Sequence, residues 1–126
     1  MRRAVPLLVG VVLLAEGCGE PSAYSLAKTR ACLTERQARI GGKLDFVATT
    51  APVGAFVAHL PDNFVTVVFG ESGSDAEELE NAYQRFAFSN VKKGLPDVLK
   101  RDRNVVMLWH KHPEDPALST MTGCLK

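Results

Sequence analysis

The chain has 126 residues, of which 46% are apolar and 23% are charged, and this size and composition fit one small globular domain. Its 15 lysine and arginine residues are balanced by 14 acidic residues, so no excess of positive charge is present to hold a phosphate backbone. We therefore expect no nucleic-acid partner.

Residues 1–17 have the pattern of an export signal. Two arginines after the first methionine form a basic start, and residues 4–15 form a twelve-residue apolar stretch. A helix of that length covers about 18 Å of a hydrocarbon core about 30 Å thick, which argues against a permanent transmembrane helix. Small residues at Ala15 and Gly17 suit signal peptidase and predict cleavage before Cys18.

The segment that ends at Cys18 places the small residue Gly17 directly before the cysteine. In this it resembles the lipobox of bacterial lipoproteins, whose cysteine is acylated and becomes the new N-terminus. Ala15 stands where that family usually has leucine, and Glu16 is also unusual there, so ordinary secretion after the same cleavage stays an alternative. The resemblance implies lipidation of Cys18, a polar tether over residues 18–24, and attachment to a membrane of the cell envelope through the lipid.

The cysteine count agrees with that implication. The chain has three cysteines, and with Cys18 lipidated, Cys32 and Cys124 remain as one pair in an oxidising compartment. A disulfide between them would close a loop of about 90 residues and stabilise the fold by about 4 to 5 kcal/mol. Two buried free thiols are the alternative.

The first half of the mature chain predicts a helix followed by strands. Ser25 is a suitable N-cap for a helix that reaches about Ala38. Residues 43–53 are ambiguous and favour at most a short strand. Residues 55–60 and 64–69 are rich in valine and phenylalanine and flank a Pro-Asp-Asn turn, which predicts a hairpin.

The second half predicts two more helices and a central strand. Ser74 and Glu77 have the spacing of a capping box at a helix start. A stripe of apolar residues follows at helical spacing and is expected to pack on the hairpin: Leu79, Ala82, Tyr83 and Phe86. Residues 105–109 are all apolar and predict a central strand, and a last helix is expected from Asp115 to Gly123.

This order of elements predicts an α+β fold over residues 25–126 as a single domain. We expect a small two-layer sandwich, with a mainly antiparallel sheet and helices packed on one face. His59 would then lie on the open face of the hairpin. We interpret Tyr83, Phe86 and Trp109 as core residues.

His110 and His112 form the one candidate metal site. If the preceding strand continued through both residues, their rings would point the same way, with Glu114 and Asp115 nearby as oxygen ligands for zinc or copper. Pro113 indicates instead that the strand has ended there. A surface loop with unrelated histidines is therefore the competing interpretation.

Two further segments are interpreted as structural. Residues 70–74 are rich in glycine and serine, yet they lack the lysine of a phosphate-binding loop and the spacing of a serine nucleophile. A patch of basic residues follows the second long helix and is interpreted as a solvated connection: Lys92, Lys93, Lys100, Arg101 and Arg103.

No catalytic residue and no cofactor is assigned from the sequence. The function expected is that of an exported, lipid-anchored cell-envelope protein with a small disulfide-closed domain that binds an envelope protein or ligand. The alternatives are a metal-binding envelope protein that uses His110 and His112, and a small secreted hydrolase.

Overall fold

The computed structural model describes residues 23–87 and 89–126, so the export segment and Cys18 lie outside it. The described elements, in chain order, are α1 (Leu26–Glu35), β1 (Arg39–Ile40), α2 (Phe46–Thr49), β2 (Gly54–Leu60), β3 (Asn63–Phe69), α3 (Gly73–Phe86), α4 (Ser89–Lys92), α5 (Leu95–Val98), β4 (Leu99–Asp102), β5 (Val105–Trp109) and α6 (Asp115–Gly123).

The strands form one five-stranded antiparallel sheet in the order β1-β2-β3-β5-β4. The predicted hairpin is confirmed as β2 and β3, whose turn places Asp62 at a φ of 67°. β4 was not predicted, because Lys100, Arg101 and Asp102 give it no apolar alternation. It pairs with β5 at the edge of the sheet.

Both faces of the sheet are covered by helices. The first face packs against α1 and α6 through a buried apolar cluster that includes Phe56, Val67, Phe69, Met107 and Trp109. The second face packs against α2, α3 and α5 through a separate cluster that includes Val47, Val68, Leu79, Leu95 and Val106. The predicted α+β class and antiparallel sheet are confirmed, whereas the prediction of helices on one face is wrong. Successive residues of β5 point to opposite faces, so its unbroken apolar sequence supplies both clusters.

A disulfide bond joins the two helices of the first face. Cys32 lies in α1 and Cys124 directly follows α6, and their Cα atoms are 5.4 Å apart although 92 positions separate them in the chain. Both cysteines are buried. The predicted pair is therefore confirmed, and the domain is closed by a bridge near its two ends.

The start of the described chain is fixed to the β4–β5 turn. The buried Asn104 side chain accepts a hydrogen bond from the Tyr24 amide at 2.7 Å and donates one to the Gly70 carbonyl at 2.9 Å. The Ser25 amide donates to the Lys126 carbonyl, which brings the C-terminus to the same region. The chain therefore enters the domain at the end of the sheet opposite the β2–β3 turn.

Local capping explains the starts of three helices. Ser25 caps α1 as predicted, because its hydroxyl accepts from the Lys28 amide at 3.2 Å. Residues 43–53 contain helix α2 rather than a strand, since Asp45 caps it by accepting from the Ala48 amide at 2.8 Å. The cap of α3 also differs from the predicted one.

The capping box of α3 uses a serine and an acid two positions earlier than predicted. The Ser72 hydroxyl accepts from the Asp75 amide at 3.2 Å, and the Asp75 carboxylate accepts from the Glu71 amide at 2.7 Å. A Cβ atom at Gly70 would collide with the Asp75 side chain, so this close approach requires glycine. The glycine- and serine-rich segment is thus the cap of α3.

Candidate functional site

Exposed apolar side chains gather at one groove on the second face. In the described part of the chain, the large hydrophobic side chains that remain exposed are Phe46, Val53, Phe64, Phe86 and Val91. All of these except Val53 line the same groove. Phe46 is 69% exposed and Phe86 is 57% exposed, so the groove retains much apolar surface that folding has not removed from water.

The groove has a volume of about 670 Å³ and lies between the sheet and four helices. Its floor consists of residues from β3 and β5 and the position after β5: Phe64, Thr66, Leu108 and His110. Its helical walls contain Phe46 of α2, Phe86 of α3, Val91 of α4, and Leu95 and Val98 of α5. This volume is within the range of about 300 to 1,000 Å³ that is typical of small-molecule sites.

Two phenylalanine rings, one from α2 and one from α3, form the part of the groove that we call its upper wall. Phe46 and Phe86 contact each other edge to face, with ring centroids 5.7 Å apart. The Arg85 guanidinium lies over the Phe86 ring, with its carbon 5.1 Å from the centroid. The interpretation of Phe86 as a core residue is therefore wrong, whereas Tyr83 and Trp109 are buried as expected.

A buried tyrosine fixes the spacing of α2 and α3 beside the groove. The Tyr83 hydroxyl donates to the Asp45 carboxylate, with distances of 2.8 Å and 3.0 Å to its two oxygens. Burial raises the pKa of Tyr83 far above its ordinary value, and the negative charge and hydrogen bond of Asp45 raise it further. The phenol stays protonated and keeps donating to Asp45, which also caps α2.

A lysine side chain and stacked rings lie around the open part of the floor. Phe64 of β3 stacks on His110 with ring centroids 4.4 Å apart. On the other side of Phe64, the ring of His59 in β2 lies 5.4 Å from the Phe64 ring. His59 is half-buried, and its Nε2 is 2.8 Å from the Gly41 carbonyl oxygen. Lys43, two positions after that glycine, also lines the groove.

The side chains of His110 and His112 do not face a common metal site. β5 ends at Trp109, so strand alternation does not continue through both histidines. His110 stacks on Phe64, whereas the exposed His112 has its Nδ1 2.8 Å from an oxygen of Asp97. Within residues 23–87 and 89–126, no group of three or more His, Cys, Asp or Glu side chains is arranged to hold a metal ion. The structure does not support the zinc or copper hypothesis.

The predicted basic patch is divided between different surroundings. Lys100 and Arg101 are neighbours in β4 and point to opposite faces of the sheet. Arg101 pairs with Glu80 of α3 at 3.2 Å, and the Arg103 guanidinium lies 4.9 Å from the Tyr24 ring centroid. These residues therefore do not form one docking surface.

Comparison of the chain with protein-family models, with curated proteins and with solved structures gave no match. Within the described residues, no helix has both the length and the apolar character that a membrane span requires. Cys18, the predicted lipidation site, lies outside the described residues.

Proposed function

We propose that this chain is an exported, lipid-anchored protein of the cell envelope whose domain binds an apolar ligand in the groove, without catalysis. The observation that carries the proposal is the gathering of Phe46, Phe64, Phe86 and Val91 at one concave surface. Exposed apolar side chains scattered singly need no explanation, whereas a cluster in a groove is typical of a binding site.

The export segment and the disulfide support the envelope location. Residues 1–17 have the basic start, apolar stretch and small residues of a secretory signal, and Cys18 follows at the predicted cleavage point. The Cys32–Cys124 bridge is the kind of crosslink that persists in an oxidising compartment.

The geometry of the fold suits an anchored binding protein. The chain enters at Tyr24, which is bonded to Asn104 just before β5, and the groove lies at the other end of that strand beside His110. The five residues of β5 separate these points by about 17 Å. A tether from an anchor at Cys18 would therefore join the domain at the end away from the groove.

The carboxylate at the groove has a structural role rather than that of a general base. Asp45 is the carboxylate that lines the groove, and its oxygens already accept from the Tyr83 hydroxyl and the Ala48 amide. A general base must have its proton-accepting atom free to reach a substrate. Asp45 therefore serves to hold α2 against α3.

The intact mass of protein from a membrane fraction tests the anchor. We expect a chain that begins at Cys18, carries an added lipid mass there, and gains two hydrogens on reduction of the Cys32–Cys124 bridge. A Cys18→Ser variant is the control and should lose both the lipid mass and the membrane association. A wild-type chain with an unmodified Cys18 or an uncleaved leader would contradict the proposal.

A neutral fluorescent dye tests the groove without relying on charge. Nile red should bind saturably, one molecule per chain, to the unacylated Cys18→Ser protein. Val91→Ser removes apolar groove surface and should weaken binding about fivefold. Val53→Ser is the matched control, because Val53 is 47% exposed and Val91 is 45% exposed, yet Val53 lies outside the groove.

Both serine variants should keep the melting temperature of the parent protein, so a difference in dye binding reports the groove itself. Absence of saturable binding would contradict the proposed function. Equal weakening by Val91→Ser and Val53→Ser would place the dye elsewhere and would contradict it as well.

A further inference from the structure

The groove has a cationic side at Lys43, near the β1 edge of the sheet, and an apolar side that extends from α2 and α3 to α5 near the opposite edge. Lys43 follows the backbone at Gly41, whose amide donates to Val57 of β2. The apolar wall of α5 leads directly into β4, which is the other edge strand. The floor between them belongs to β3 and β5.

The cationic side can receive a negatively charged head group. Lys43 is exposed and lines the groove, and His110 adds ring nitrogens next to the stacked Phe64. The carboxylate of Asp45 lies nearby, and its oxygens accept hydrogen bonds from the Tyr83 hydroxyl and the Ala48 amide. An anion at the rim can contact the Lys43 ammonium, since no other lysine or arginine is among the described lining residues.

The apolar side can receive a hydrocarbon tail. Phe46 and Phe86 form its upper wall, and Val91, Leu95 and Val98 continue the apolar surface along α4 and α5. Phe46 and Phe86 are held by their edge-to-face ring contact and by the Asp45–Tyr83 hydrogen bond between α2 and α3, so this part of the wall exists before a ligand enters. A preformed wall reduces the ordering cost of binding.

We infer that the groove binds a single-chain anionic amphiphile, a fatty acid, with its carboxylate beside Lys43 and His110 and its hydrocarbon tail along Phe86 and Val91. This inference rests on the proposed function and specifies the ligand class of the same groove. The volume of about 670 Å³ is that of a small-molecule site, which favours a single chain over a docked protein segment.

Displacement of Nile red by saturated fatty acids of 8 to 14 carbons, below their micelle-forming concentrations, tests the inference on the Cys18→Ser protein. Affinity should rise about two- to fourfold for each added methylene, because each one buries more hydrocarbon. Alcohols of the same chain length provide the comparison for charge, and each acid should bind about two- to fivefold more tightly than its alcohol.

Matched lysine variants separate the head-group contact from net charge. Lys43→Gln should remove the preference for acid over alcohol and leave the affinity for the alcohol unchanged. Lys28→Gln is the control, because Lys28 is an exposed residue of α1, which packs on the first face. It should retain the full preference, and 0.5 M salt should reduce the preference in both the parent and this control.

The outcomes distinguish this inference from the function on which it rests. If Nile red binds but no fatty acid displaces it, the fatty-acid inference fails and the groove remains a binding site. If acids and alcohols bind equally, or if Lys28→Gln has the effect expected of Lys43→Gln, the head-group assignment fails. If the protein binds vesicles of anionic phospholipid but no single-chain acid, the ligand is a membrane surface and the inference is overturned.

Discussion

The two faces of the sheet are covered in different ways, although the same strands supply both. On the first face, α1 and α6 have 10 and 9 residues, are joined by the disulfide, and enclose a buried cluster around Trp109. On the second face, α2, α4 and α5 have four residues each, and only α3 is long. Short helices cover less of a sheet, and the second face keeps an open groove.

This difference indicates a division of roles. Isolated helices of four residues are not stable in water, so α2, α4 and α5 depend on tertiary contacts for their position. The Asp45–Tyr83 hydrogen bond is such a contact, and the apolar residues near it can face a ligand rather than the core. The first face contains the crosslinked core, and the second face contains the groove for which we propose ligand binding.

The largest expected effect comes from removing the crosslink of the first face. In the double variant Cys32→Ser/Cys124→Ser, the free energy of unfolding should fall by about 4 to 5 kcal/mol, because the unfolded chain regains the entropy of a loop of about 90 residues. Urea denaturation followed by circular dichroism measures this difference.

Reduction of the wild-type protein is the control for the disulfide variant. Dithiothreitol should lower the urea midpoint of the wild type to that of the double variant and leave the variant itself unchanged. A double variant that loses less than about 1 kcal/mol would contradict the role assigned to the first face. Folded molecules of the variant should still bind Nile red, because Cys32 and Cys124 do not line the groove.

The first face was largely predictable from the sequence. Ser25 marked the start of α1, the Pro-Asp turn marked the hairpin, and the pairing of Cys32 with Cys124 followed from the resemblance around Cys18. Each of these features is encoded by a few residues close in the chain or by a cysteine count. The cover on the second face was encoded less directly.

The continuous apolar sequence of β5 was the available indication that both faces are buried. A strand with one solvated face alternates polar and apolar residues, and Val105–Trp109 does not. The helices of the second face are short, and only the cap at Asp45 distinguishes α2 from a strand. The apolar pattern therefore predicted β2, β3 and β5 but missed β4 and part of the helical cover.

The groove could not be predicted, because helical periodicity does not show what lies opposite a side chain. Phe86 follows Leu79 and Tyr83 at helical spacing, so the sequence places all three on one stripe. In the folded chain, Leu79 and Tyr83 are buried, although Tyr83 also borders the groove, whereas Phe86 is exposed there. The position of Phe46 could not be predicted either, because the pattern of residues 43–53 is ambiguous and favours at most a short strand.

A smaller effect is expected from the hydrogen bond that holds α2 on the second face. Tyr83→Phe should lower the free energy of unfolding by about 1.5 to 3 kcal/mol at pH 7, because it removes a donor to a charged carboxylate. Tyr24→Phe is the matched control, since the Tyr24 hydroxyl is 3.4 Å from each oxygen of Asp102. Urea denaturation should show a loss for Tyr24→Phe that is less than half as large.

The pH dependence of the stability of Tyr83→Phe tests the same hydrogen bond on the second face. The pKa of Tyr83 is raised in the folded state above its unfolded value of about 10, so the folded protein holds this proton more tightly. The resulting stability is fully present below about pH 10 and is lost as pH rises above it, by about tenfold in the folding equilibrium constant per pH unit. Tyr83→Phe lacks this dependence. The difference in free energy of unfolding between wild type and Tyr83→Phe should therefore shrink in urea denaturation series taken from pH 9 to pH 11. A disadvantage that stays constant over this range would show that the hydroxyl of Tyr83 titrates alike in the folded and unfolded chain, and α2 would then be held by apolar packing alone.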